Sequence, residues 1–277
     1  MNKKLYGFCL LSLFLSCRPK PIVPDNKQIV FEQNFEASPL GLLSISQINK
    51  DFNNPEFLWG YKDRILFYLG LNGQKPEIVN DHSRCLKAII PESIAGPIPG
   101  QQWSLKFDSS YKELNFIFKV KFDSNFCFVK GGKLPGLAGG KANTGGKKPN
   151  GLDGWSARLM FWQEGKLCFW LYHKNQNGQF GDTLFFKNGE SYFTFERNKW
   201  YTIKQHIIIN DLHKKNGVIE GYINDSLMVQ KKDITFSDSD KLKIDQFVFS
   251  VFLGGDNPSY ASHKKEYIFF DDFLVCK

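Results

Sequence analysis

Between Leu114 and Phe122 the chain alternates. Leu114, Phe116, Phe118, Val120 and Phe122 share one parity, and Asn115, Lys119 and Lys121 take most of the other. A period of two sends such residues to opposite faces of a strand, one for a core and one for water. The same habit recurs over Trp155–Trp162, Leu167–Tyr172, Trp200–Asn210, Val218–Ile223, Phe247–Leu253 and Tyr267–Val275. Asn-Gly pairs at 150–151, 177–178, 188–189 and 216–217 punctuate these runs as turns. The 27 phenylalanines suit broad sheet faces packed on one another. The pattern predicts an all-β, antiparallel sandwich or jelly roll, with room for one short helix between Ser38 and Asn54.

The first residues read as an address. Lys3 and Lys4 precede an apolar run from Leu5 to Leu15, too short for a permanent bilayer span, which needs ~20 residues. The run ends in Leu13-Phe14-Leu15-Ser16-Cys17, which resembles the lipobox of bacterial lipoproteins. That resemblance implies cleavage after residue 16 and lipidation of Cys17. Residues 17–27 carry Pro19, Pro21 and Pro24 and read as an extended tether. Residues 28–277 then form one domain. The expectation is an exported monomer anchored to a bacterial outer membrane, on its periplasmic or cell-surface side.

Charge narrows the partner. The chain is +8, and without Lys3 and Lys4 it keeps 34 basic against 28 acidic residues, +6. On an exported protein this favours an anionic glycan or lipid headgroup over nucleic acid. Apart from Cys9 and Cys17 the cysteines are Cys85, Cys127, Cys168 and Cys276. None has CxxC spacing, so neither a metal nor a cofactor is signalled. The four are either paired or buried as free thiols.

The most unusual stretch runs from Val129 to Asn150, where Lys130, Lys133 and Lys141 stand among glycines around Leu134-Pro135-Gly136-Leu137. Glycine permits close approach of backbone to a ligand and the lysines bring charge. No phosphate-loop spacing is present. Beyond it, Ser156, Arg158, Met160 and Trp162 share one face of a strand, and Cys168, Trp170 and Tyr172 share one face of the next. A loop of Glu164, Gly165 and Lys166 would set Arg158 opposite Tyr172 and Met160 opposite Trp170.

Five segments together resemble the alginate lyases of polysaccharide lyase family 14: Lys130–Gly140, Gly154–Met160, Asn198–Thr202, Phe252–Gly255 and Tyr267–Phe273. Residues 28–112 carry no such resemblance. It implies a jelly roll with a concave, basic cleft for uronan chains. It also implies that Lys133 is the catalytic lysine, that Ser156 and Arg158 form the Ser-x-Arg pair, and that Tyr172 is the second tyrosine of a Tyr-x-Tyr. The first is replaced by Trp170, whose indole N–H donates and cannot exchange a proton as a phenol does.

β-Elimination from a uronate needs its carboxylate neutralised, a base for the C5 proton and an acid for the leaving O4. Arg158 suits the carboxylate and Lys133 the base, if burial or cations lower its pKa. Tyr172 is then the acid, or the base if Lys133 holds the carboxylate. Ser156 orients substrate, while Lys130, Lys141 and Trp170 bind it. The alternative is a glycan binder without activity. His173 reads as structural, and Asp271-Asp272 as a calcium ligand pair or a solvated strand end.

Overall fold

The computed structural model describes residues 28–58, 75–255 and 257–277. The signal, Cys17 and the tether lie outside the described residues. In chain order the elements are β1 (Ile29–Gln33), β2 (Gly41–Leu42), α1 (Ile45–Asp51), β3 (Glu56–Phe57), β4 (Glu77–Asn80), β5 (Arg84–Ile90), β6 (Gln101–Tyr111), β7 (Glu113–Phe122), β8 (Gly131–Gly140) and β9 (Gly154–Trp162). Then follow β10 (Leu167–Tyr172), β11 (Asp182–Phe185), β12 (Lys187–Asn188), β13 (Ser191–Tyr192), β14 (Tyr201–Ile208), β15 (Gly217–Ile223), β16 (Ser226–Ile234), β17 (Ile244–Leu253) and β18 (Glu266–Cys276).

Two antiparallel sheets form the jelly roll read from the alternation. One runs β16-β15-β14-β7-β18-β5-β4-β2, with β1 also on β18; the other runs β11-β10-β9-β8-β17-β6-β3. Leu114, Phe116, Phe118, Val120 and Phe122 of β7 are fully buried between them. Phe116 stacks on Phe247 of the opposite sheet, with ring centroids 5.0 Å apart. Aromatic rings thus carry most of the inter-sheet packing, which favours offset and edge-on contacts at such distances.

Described residues before 113 contribute to this core. The helix α1 starts where Ser44 accepts a hydrogen bond from the Gln47 N–H and buries Ile45 and Ile48. Just past its end, Phe52 packs edge-on to Trp103, centroids 5.0 Å apart. Strand β5 lies inside its sheet between β18 and β4.

The structure bears on three of these readings. The Lys/Gly stretch contains a strand, β8, paired on both sides with β9 and β17. Asp271-Asp272 sits within β18 beside a bulge, where Asp272 pairs with Lys119 at 2.7 Å and Asp271 accepts from Ser83 at 3.0 Å. It is neither a strand end nor free for calcium, because cations and hydroxyls inside the sheet already use it. Cys85, Cys127, Cys168 and Cys276 form no disulfide among the described residues, so of the two readings left open the thiol one holds.

Candidate active site

Strand β8 holds the site because glycine lets it sit tightly between its neighbours. A Cβ on Gly136 would come within 2.4 Å of the Ala157 carbonyl, and one on Gly139 within 2.2 Å of the Lys243 carbonyl. Pro135 has no N–H to give the ladder, and the pairing with β9 slips between Leu134 and Gly136.

The sequence placed Ser156, Arg158, Trp170 and Tyr172 on one face, and the structure agrees. Their register differs from the expected one. Trp170 lies opposite Arg158, Tyr172 opposite Ser156, and Cys168 opposite Met160. The turn closes on Trp162 and Lys166, with Glu164 and Gly165 both at positive φ. That moves the pairing by two residues, and an even shift keeps every side chain on its face.

Across β8, Lys133 is opposite Met160. Its Nζ donates to the Met160 Sδ at 3.0 Å and lies 4.3 Å from the centre of the Trp170 ring. Both Lys133 and Arg158 are buried, at 8% and 4% exposure. Burial first, and then the Arg158 charge, push the Lys133 amine well below the ordinary lysine range, with Cys168 acting weakly the other way. Burial lowers Arg158 to about 10, so it stays a cation at neutral pH, and Tyr172 offsets part of the shift. Burial pushes the Cys168 thiol up to about 12, which keeps it protonated.

The guanidinium has hydroxyl partners only. It donates to Ser250 Oγ at 3.4 Å and to Thr144 Oγ1, while its Nε has no partner among the described residues. No carboxylate pairs with Lys133 or Arg158 among the described residues. A buried guanidinium without a counter-ion, beside a buried amine that its charge helps to deprotonate, is costly for folding, by several kcal/mol for the uncompensated ion. Such an unpaired guanidinium suits an anion.

Further along the same face, Ser156 Oγ donates to the Asn143 carbonyl at 2.6 Å. The Gly146 N–H donates to the Tyr172 hydroxyl at 3.1 Å. Residues 143–146 therefore latch onto Ser156, Arg158 and Tyr172 at once. By register Lys133 and Tyr172 are two strands and four residues apart, on the order of 15 Å between Cα atoms. Arg158 stands between them.

Lys130 and Lys141 do not join this cluster, because they flank opposite ends of β8. Lys130 donates to Ser259 Oγ at 2.8 Å and lies 5.7 Å from the Tyr260 ring centre. Lys141 is exposed and 3.7 Å from Asp153. His173 is buried, 2.8 Å from Asp182.

A polar row on β6 and β17 escaped the sequence reading. Ser104 donates to Gln246 at 2.5 Å, and Ser250 to Gln102 at 3.0 Å. The Gln246 amide donates to the Gly140 carbonyl at 2.8 Å. The signal was there in Gln246 and Ser250, which share a parity on a strand whose other parity from Phe247 to Leu253 is wholly apolar. Among the described residues, no three His, Cys, Asp or Glu converge as metal ligands.

A family model described as Polysaccharide lyase 14 matches residues 94–273, well over half of the chain. No curated protein sequence matches. Among solved structures, the alginate lyase Aly36B superposes with a TM-score of 0.74 at 23% identity, covering 89% of this chain and 96% of that one. A variant of the same enzyme in complex with alginate trisaccharide gives 0.74 at 21% identity, covering 90% and 98%. The marine alginate lyase from Aplysia kurodai gives 0.71 at 22% identity, covering 90% and 98%.

Proposed function

This chain belongs to polysaccharide lyase family 14, and from that premise we propose that it cleaves an alginate-like uronic-acid polymer by β-elimination. The observation that carries the reading is the buried Arg158 cation beside the buried Lys133 amine, with no carboxylate pairing either among the described residues. The alginate lyases of like fold, one holding an alginate trisaccharide, support the choice of polymer.

The uronate carboxylate enters as the counter-ion of Arg158 and is hydrogen-bonded by the guanidinium, which acidifies the C5 proton. Lys133, held as the free amine by burial and by Arg158, takes that proton. Electrons from the C5–H bond form the C4–C5 double bond as the C4–O4 bond breaks. Tyr172 protonates O4: its oxygen accepts from Gly146, which leaves its own O–H to donate. Ser156 and Trp170 hold the sugar, and Lys130 and Lys141 attract the flanking carboxylates at the two ends of β8. The distance between Lys133 and Tyr172 favours a second route, in which the newly formed Lys133 ammonium returns the proton to O4.

Export through the N-terminal segment, with a lipid anchor at Cys17, would put this domain where extracellular uronans are met.

The test is incubation of the chain with alginate, glucuronan and other acidic glycans, followed by the ultraviolet absorbance of unsaturated uronates. A rise with one polymer, lost in Lys133→Ala, is expected. Tyr172→Phe separates the two routes. Binding without any rise would mean a glycan-binding protein, with Trp170 in place of the tyrosine as the reason.

A further inference from the structure

From the Lys133 site a line of aromatic rings leads to the edge of the sheet. Trp162 lies 6.2 Å from Trp170 and 6.2 Å from Phe185, and Phe185 lies 5.0 Å from Tyr192, centroid to centroid. Trp162 has the parity of Arg158, and Phe185 is opposite Cys168, so the line is on the site face. None of these four rings is fully buried, and Tyr192 is 45% exposed.

Cations accompany the line. Lys187 and Lys166 lie 5.0 Å and 5.5 Å from the centre of the Tyr192 ring. Lys166 shares its charge with Glu164 at 2.8 Å, whereas Lys187 has no carboxylate partner among the described residues. The β12–β13 hairpin that carries Lys187 and Tyr192 is pinned to the sheet, since the Phe186 N–H donates to the Leu167 carbonyl of β10 at 2.9 Å and Lys166 bridges to Thr194. It is an ordered platform.

We propose that Trp162, Phe185, Tyr192 and Lys187 form an outlying subsite arm for the uronan chain, a binding site separate from the Lys133–Arg158 centre. The inference rests on the uronan reading above. A pyranose offers a C–H face to stack on an aromatic ring and a carboxylate for a nearby lysine, and the arm repeats the pairing of Trp170 with Lys133. Phe185 is three strands from Lys133 in one cross-strand row, about 14 Å. That is the reach of an oligosaccharide, so the arm serves long chains and is idle with short ones.

The full chain is tested as Tyr192→Ala and Lys187→Ala, with Tyr192→Phe as the conservative variant. Affinity for polymer and for trisaccharide is measured by calorimetry, alongside KM and kcat for each. Polymer affinity is expected to fall about tenfold per variant, at unchanged kcat, with trisaccharide affinity unmoved and Tyr192→Phe like the parent. Parent-like polymer affinity in both alanine variants would overturn the arm while leaving the lyase reading intact. Equal losses for polymer and trisaccharide would also overturn it. A parent protein that neither binds nor cleaves any uronan would remove the reading and the arm together.

Discussion

Phe52→Ala is a direct test of how far the domain extends toward the N-terminus. The residue lies well before the family match at residue 94, yet it is fully buried. Its ring touches Phe31, Phe35, Phe247, Phe249 and Phe273 at 6.0–6.4 Å, besides Trp103. Phe→Ala in a core costs about 3–5 kcal/mol, and more where the cavity cannot collapse. Here the neighbours are held on β1, β6, β17 and β18, so the upper part of that range, ~4–5 kcal/mol, applies. At ~2–4 °C per kcal/mol for a domain of this size, the midpoint should drop by roughly 8–20 °C. The assay is thermal unfolding followed by circular dichroism, with cleavage of uronan measured at each temperature. Both signals should fall in one cooperative transition. A drop under about 2 °C, or a first transition that leaves activity intact, would refute the placement of Phe52 and the strands around it in the same core.

Lys133→Met should abolish cleavage and raise the midpoint at neutral pH. The folded lysine has a pKa below its unfolded value, so the unfolded state binds more protons and stability is lost as pH falls from above the unfolded pKa; deleting the group removes that loss. Arg158→Met should shift the basic-group limb of the kcat/KM profile to higher pH, because removing a cation lets Lys133 keep its proton more tightly; an unmoved limb would exclude Lys133 as the base. Tyr172→Phe should cut kcat by about 10²–10⁴ if the phenol is the acid, and much less if the lysine returns the proton.

Strands such as β7, β14 and β15 were legible because they bury one parity and leave the other half-exposed along most of their length. The shared face of Ser156, Arg158, Trp170 and Tyr172 was legible for the same reason. Their partners were not, since the turn was closed by left-handed Glu164 and Gly165 at a place the composition did not fix. Strand β8 was harder still. Five glycines and a proline argue against a central strand by propensity, and only the collisions awaiting a Cβ explain them. The unpaired charge of Arg158 was also invisible, for it depends on what three-dimensional neighbours fail to supply.

The slip at Pro135 has a counterpart. Strand β17 is irregular against β8 between Val248 and Phe252, at the same level of the sheet. The weave therefore has a seam across its two middle threads, with Lys133 on one side and the Gln246–Ser104 row on the other. Strands β9, β10 and β11 pair past that level with an unbroken count. Arg158 sits at that level on β9, so it indexes the two halves of the site to each other, and a change in the seam would retune their spacing while leaving each half intact.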